Sequence, residues 1–365
     1  MKVSFNVLDR QYNKYKIEYD KAVQRVLSSG IYILGNEVKS FENNFSHYIG
    51  AKYCVGLNSG LDALILAFRA LEIGEGDEVI VPANTYIASV LGITENGATP
   101  IFVEPDEYYN LDSNKVEEAI TNRTKAILAV HLYGNPADMN KIKDIADRHG
   151  LYLIEDCAQS HGANIDGKMT GTFGHIGCFS FFPTKNLGAF GDAGAIVTDD
   201  EDLSEKIKML RNYGSKVRYY NDIPGVNSRL DELQASLLDV KLKHIEELNN
   251  ERSALSYKYL SRIKNPYISL PKLRDNYKTV WHLFVIRTEY RDKLVEYLSE
   301  NDIQTLIHYP IPPHLAECYK QFGYKSGSFP IAETFASQIL SIPLYNGMLD
   351  EEIDYVIKTI NNWKL

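Results

Sequence analysis

Cysteine is scarce: four in 365 residues, Cys54, Cys157, Cys178 and Cys318, scattered without metal-ligand spacing. That is too few for a disulfide-stapled scaffold, and no C-x-x-C pair calls for zinc. Three of the four sit in apolar runs and read as small buried hydrophobes. Long hydrophobic runs are missing too. No stretch approaches the ~20 apolar residues that a membrane helix needs, and the N-terminal MKVSFNVLDRQYNKYK lacks an apolar signal core. Nor is there an excess of cationic residues: 39 Lys and Arg face 48 Asp and Glu, a formal charge of −9. That sign disfavours a binder of phosphate backbones. The expectation is a reduced cytoplasmic protein with no nucleic-acid and no membrane partner. Neither G-x-x-x-x-G-K-S/T nor G-x-G-x-x-G occurs, which removes the P-loop and dinucleotide fingerprints.

What is present is a globular composition, 44% hydrophobic and 24% charged, on a chain long enough for two domains. From Tyr53 onward, short β-branched runs alternate with amphipathic stretches: YCVGL then GLDALILAFRAL, EVIVP then TYIASVLGITENG, TPIFVEP then the helical SNKVEEAI, KAILAVHLYG then ADMNKIKDIADRHG, then LYLIED. This is the pattern of βαβ units, hence an α/β fold with a mostly parallel sheet covered on both faces. IGCFSFF and GAIVTDD follow without a long helix between them, which predicts a local change of strand direction. Leu230, Leu233, Leu237, Val240, Ile245 and Leu248 then mark one long helix. Behind it come a strand at HLFVIRT, a helix at DKLVEYLSEN, a strand at IQTLIHY and a terminal helix near DEEIDYVIKTINNW. A large α/β domain is expected over residues 1–245 and a smaller α+β domain over 246–365.

Open parallel sheets bind ligands beyond the carboxyl ends of their strands. Three features fall there. Asn58-Ser59-Gly60 joins the first strand to a helix; a capped N-terminus with a glycine offers N–H groups to an anion, and is equally a plain capped helix. Asp156 follows the strand LYLI and Glu155, where a carboxylate projects into the crevice or merely caps a turn. Gln159 and His161 lie close enough in sequence to line the same opening. Lys185 stands among Phe179, Phe181, Phe182, Pro183 and Phe190. Drying an ammonium lowers its pKa and makes the amine a Schiff-base nucleophile; a lysine that snorkels to solvent is the alternative. Together, in this order, a phosphate cradle, a carboxylate and a reactive lysine match what pyridoxal phosphate (PLP) requires. Tyr86, at the start of the helix after the second strand, is placed to face its ring, or to pack in the core.

The motifs SGLDAL, PANTYIAS, VHLYGNPADM, IEDCAQSHG, FSFFPTKNLGAFGDAG, NSRLDELQA and IHYPIPPH resemble those of the DegT/DnrJ/EryC1 nucleotide-sugar aminotransferases of PLP fold type I, over essentially the whole chain. The resemblance implies the aspartate aminotransferase-like fold. It implies that Lys185 holds the cofactor as a Schiff base, that Asp156 pairs with the ring nitrogen, and that Gln159 lies beside the ring hydroxyl with Tyr86 stacked on the ring. Ser59, Gly60, Leu61 and Ser180 would hold the phosphate. Asn227 would reach the phosphate in the neighbouring subunit, giving a homodimer with shared active sites. Arg229, His308 and Tyr309 would face the nucleotide sugar. No metal is called for. NSGLDAL, with Leu61 where many C4-specific relatives have Thr, is similar to the branch that aminates C3 of dTDP-3-keto-6-deoxyhexoses with L-glutamate. Phe182 stands where some of that branch carry Tyr. A C4 aminotransferase and a non-catalytic PLP-binding regulator are the alternative readings.

Overall fold

The computed structural model describes residues 1–365. Its centre is a seven-stranded sheet built from β1 (Tyr53–Leu57), β2 (Glu78–Pro82), β3 (Thr99–Val103), β4 (Thr124–Val130), β5 (Tyr152–Asp156), β6 (Ile176–Ser180) and β7 (Gly194–Thr198). The strand order is β1-β7-β6-β5-β4-β2-β3. β3, β2, β4, β5 and β6 pair in parallel, whereas β7 runs antiparallel to both β6 and β1. The change of direction expected at IGCFSFF and GAIVTDD is therefore this one reversed strand. Residues along β2, β4, β5 and β7 are buried almost without interruption, because helices cover both faces. Helices Gly60–Ala70 and Ile87–Thr94 pack on one face with Leu64, Phe68, Val90 and Ile93. Phe41, Phe45, Leu238 and Ile245 cover β6 and β7 from the other.

Behind the sheet, β8 (Phe284–Arg287) and β9 (Ile339–Ile342) pair antiparallel and carry a second core of Tyr259, Trp281, Phe284, Leu294, Leu340 and Ile353. Val3 and Val7, counted with the large domain from sequence, pack in or against this core, whereas Phe5 packs against the first. Val3 is fully buried in the second core and bridges Ile303, and Arg10 forms a fork with the Glu352 carboxylate at 2.6 and 2.8 Å.

Three local expectations change. SNKVEEAI supplies only a 3-10 turn, Glu117–Ala119, since so short a run has too few helical bonds to offset nucleation. The long helix divides into Glu232–Leu242 and Ile245–Arg262 at Lys243-His244, letting one segment cover the large sheet and the next enter the second core. IQTLIHY forms only single bridges, Ile303 to Val3 and Leu306 to Ser341, because the partner place beside β8 is taken by ILSI.

Candidate active site

The carboxyl ends of β1, β4, β5 and β6 open into a cavity of about 440 Å³. Small-molecule sites run to about 300–1,000 Å³. Among its walls are Ser59, Gly60, Leu61, Tyr86, Asp156, Gln159, Ser180, Lys185, His308 and Tyr309. Ten of the twelve residues to which the resemblance gives roles thus meet in one place. Asn227 and Arg229 do not. Asn227 bridges Asn212, and Arg229 Nη1 donates to Asn212 Oδ1 at 3.1 Å, on the surface beyond this cavity.

The turn after β1 is built for an anion. Ser59 caps the helix Gly60–Ala70 by accepting the Asp62 N–H at 3.1 Å, so the N–H groups of Gly60 and Leu61 have no partner within the helix. A Cβ on Gly60 would come within 2.4 Å of Ser180 Cβ, so only glycine lets the Ser180 hydroxyl and this helix start converge. Asp156 ends β5 and is nearly buried, its Oδ1 accepting the Ala158 N–H at 3.1 Å and its Oδ2 the Ser89 hydroxyl at 2.7 Å. Gln159 accepts the Tyr133 N–H at 2.6 Å and donates to the Tyr309 hydroxyl at 3.1 Å, tying the small-domain segment to the cavity floor. Tyr133 Oη adds a hydrogen bond to the His308 carbonyl. Tyr86 is half-exposed, with its ring 4.8 Å from that of Tyr309.

Lys185 lies on the floor without a side-chain partner, and desolvation lowers its pKa to about 8 against the upward pull of Asp156. The phenylalanines do not dry it as the sequence suggested. Phe179 and Phe181 point into the core beneath the sheet, while Phe190 packs 5.0 Å from Tyr19 and is half-exposed. Only Phe182 lines the cavity. Alternation along β6 and its extension explains this: the side chains leave on opposite faces. His161 also departs from expectation. It is fully buried outside the cavity lining, against Phe179 and Phe181, and burial with nearby Lys185 pushes its pKa to about 3.

Sequence reasoning missed His282, which enters from just before β8. Asn186 donates both amide protons, to Asn249 Oδ1 and the Val280 carbonyl at 2.8 Å each, so its oxygen must accept from His282 Nδ1 at 3.2 Å. The Nε2 lone pair is thereby left free. Burial, and then the Lys185 charge, holds this imidazole well below its ordinary pKa and hence neutral. His308 is pushed to about 4 by the same two causes. Thr85 and Ser89, also in the lining, were missed as well; their signal was two hydroxyls four apart in an otherwise apolar helix start.

His131, Glu155 and Cys157 bring donor atoms within 4.8 Å of one another. Their valences are spent: His131 Nε2 meets Glu155 at 3.0 Å while its Nδ1 accepts the Ala137 N–H, and Glu155 also takes the N–H groups of Gly171, Phe173 and Gly174. The cluster is a buried strut under Asp156.

An unpaired lysine of lowered pKa, a buried carboxylate and a helix start with a hydroxyl are the donor set of a PLP enzyme. Residues 13–361 match the DegT/DnrJ/EryC1/StrS aminotransferase family. This chain belongs to that family. The aminotransferase is 52% identical to dTDP-3-amino-3,6-dideoxy-alpha-D-galactopyranose transaminase of Aneurinibacillus thermoaerophilus, over 97% of this chain and 98% of the relative. It is 48% identical to dTDP-3-amino-3,4,6-trideoxy-alpha-D-glucose transaminase of Streptomyces venezuelae, over 99% and 96%. The crystal structure of S. venezuelae DesV in complex with a ketimine intermediate superposes with a TM-score of 0.97, at 48% identity over 99% of this chain and 98% of that one. NtdA of Bacillus subtilis, solved with bound cofactor PMP, gives 0.92 at 35% identity, over 98% and 84%. The fold is thus PLP fold type I. No helix is long and apolar enough to cross a membrane.

Proposed function

We propose that this aminotransferase moves the amino group of L-glutamate to the C3 ketone of a dTDP-linked 3-keto-6-deoxyhexose, yielding a dTDP-3-amino-3,6-dideoxyhexose. The observation that carries the reading is a partnerless Lys185 facing the same cavity as Asp156, in a chain half identical to transaminases named for dTDP-3-amino sugars. Its cofactor is pyridoxal phosphate, which supplies an electron sink for the charge released at Cα.

The chain's own residues have distinct tasks. The Gly60 and Leu61 N–H groups, with the Ser59 and Ser180 hydroxyls, hold the phosphate at the positive end of the helix Gly60–Ala70. Asp156, oriented by its two donors, would pair with the ring nitrogen; Gln159 would face the ring hydroxyl and Tyr86 would cover the ring. Lys185 would hold the cofactor covalently, and its free amine would be the base and acid that moves the proton, a task suited to a group of pKa about 8. His308 and Tyr309, fixed by Tyr133 and Gln159, face the sugar.

Asn227 serves the second subunit of a homodimer. In support, Asn227 and Arg229 stand off their own cavity, and the half-exposed Tyr213 ring lies 5.7 Å from the Arg229 guanidinium. The four cysteines form no disulfide, which suits a reducing cytoplasm.

The test is an end-point reaction with L-glutamate and the 3-keto and 4-keto dTDP-sugars side by side, with products identified by NMR. Amination at C3 is expected. Amination of the 4-keto sugar alone would make it a C4 enzyme, and no spectral response to glutamate would make it a regulator.

A further inference from the structure

Asp156 is backed by a chain of hydroxyls. Ser89 Oγ donates to Asp156 Oδ2 at 2.7 Å, and Thr85 Oγ1 lies 2.6 Å behind Ser89 Oγ. A serine hydroxyl has one proton. With that proton spent on the carboxylate, Thr85 must be the donor in the second bond, so the relay runs one way, from Thr85 to Ser89 to Asp156. Ser89 lies in the first turn of the helix Ile87–Thr94, and Thr85 immediately precedes its extended N-cap residue Tyr86, so the chain entering the helix brings the two hydroxyls together. Ser89 is 0% and Thr85 1% exposed. A serine buried in a helix ordinarily returns its hydroxyl to the carbonyl four residues back. Ser89 instead donates to Asp156 and accepts from Thr85.

We propose that Ser89, with Thr85 behind it, is a positioning residue that keeps the Asp156 carboxylate fixed for the ring nitrogen of pyridoxal phosphate, an inference that rests on the role of Asp156 given above. A donor to the charged form of a carboxylate favours that form, and a second hydroxyl polarises the first. Without the relay, the proton shared with the ring nitrogen moves toward Asp156. A ring that has lost its proton withdraws fewer electrons, so the chromophore releases its own proton at higher pH.

The test uses the full-length holoenzyme and follows the pH titration of the bound cofactor's visible band together with steady-state kinetics. Ser89→Ala should move the titration midpoint upward and lower kcat by about ten- to a hundredfold, the range of one charge-assisted hydrogen bond, with little change in KM. Ser89→Thr restores the donor and should bring both back toward wild type. Thr85→Val breaks only the outer link, should give a smaller shift of the same sign, and carries the test should Ser89→Ala fail to fold. A Ser89→Ala enzyme that melts earlier but keeps its midpoint and kcat would overturn the relay and leave a structural hydroxyl. Asp156→Asn is the control: wild-type titration and turnover in that variant would sink the reading of Asp156 itself, whereas a crippled Asp156→Asn beside a normal Ser89→Ala sinks the relay alone.

Discussion

Lys185 at pKa about 8 makes a quantitative claim on the unliganded enzyme. Its ordinary value is 10.5. At pH 7, a group of pKa 8 is neutral in about one molecule in eleven, and one of 10.5 in about one in three thousand, a roughly 300-fold difference in reactive amine. Burial drives the value down and Asp156 holds it up. Replacing Asp156 with Asn keeps the size and the Ser89 partner but removes the charge. Unit charges 4 Å apart interact by about 4 kcal/mol at an effective dielectric near 20, less at longer range, and about 1.4 kcal/mol is one pKa unit. The midpoint should therefore fall by about one unit or more. Trace acetylation of the apoenzyme across pH 6–10, with Lys185 quantified by peptide mass spectrometry, reads the neutral fraction directly. A wild-type midpoint near that of a surface lysine, or no downward movement in Asp156→Asn, would refute the reasoning.

Glu155→Ala removes a fully buried acceptor and strands His131 with three backbone N–H groups, so stability should drop by about 3–5 kcal/mol; urea unfolding checks this, and a loss below about 1 kcal/mol contradicts the strut. If active sites are shared, mixing inactive Lys185→Ala and inactive Asn227→Ala chains should regenerate activity, since each hybrid dimer contains one site free of both changes. No recovery on mixing would place Asn227 outside the partner's site.

Much of this enzyme was legible without coordinates, because its information is local. Alternating apolar runs announce a parallel sheet, and a sheet of that kind puts ligands at its carboxyl ends, which is where Ser59, Gly60, Asp156 and Lys185 stand. Periodicity also marked the helical segments, though not the break at Lys243-His244, which depends on which core each half must enter. Tertiary structure alone decided how Lys185 is dried. Neighbouring phenylalanines point to opposite faces, so proximity in sequence said nothing about proximity in space. It also brought in His282 from beyond residue 280, set its tautomer through Asn186, and turned Ser89 toward Asp156 across 67 residues. Such contacts are set by the packing of one element on another, and no spacing along the chain encodes them.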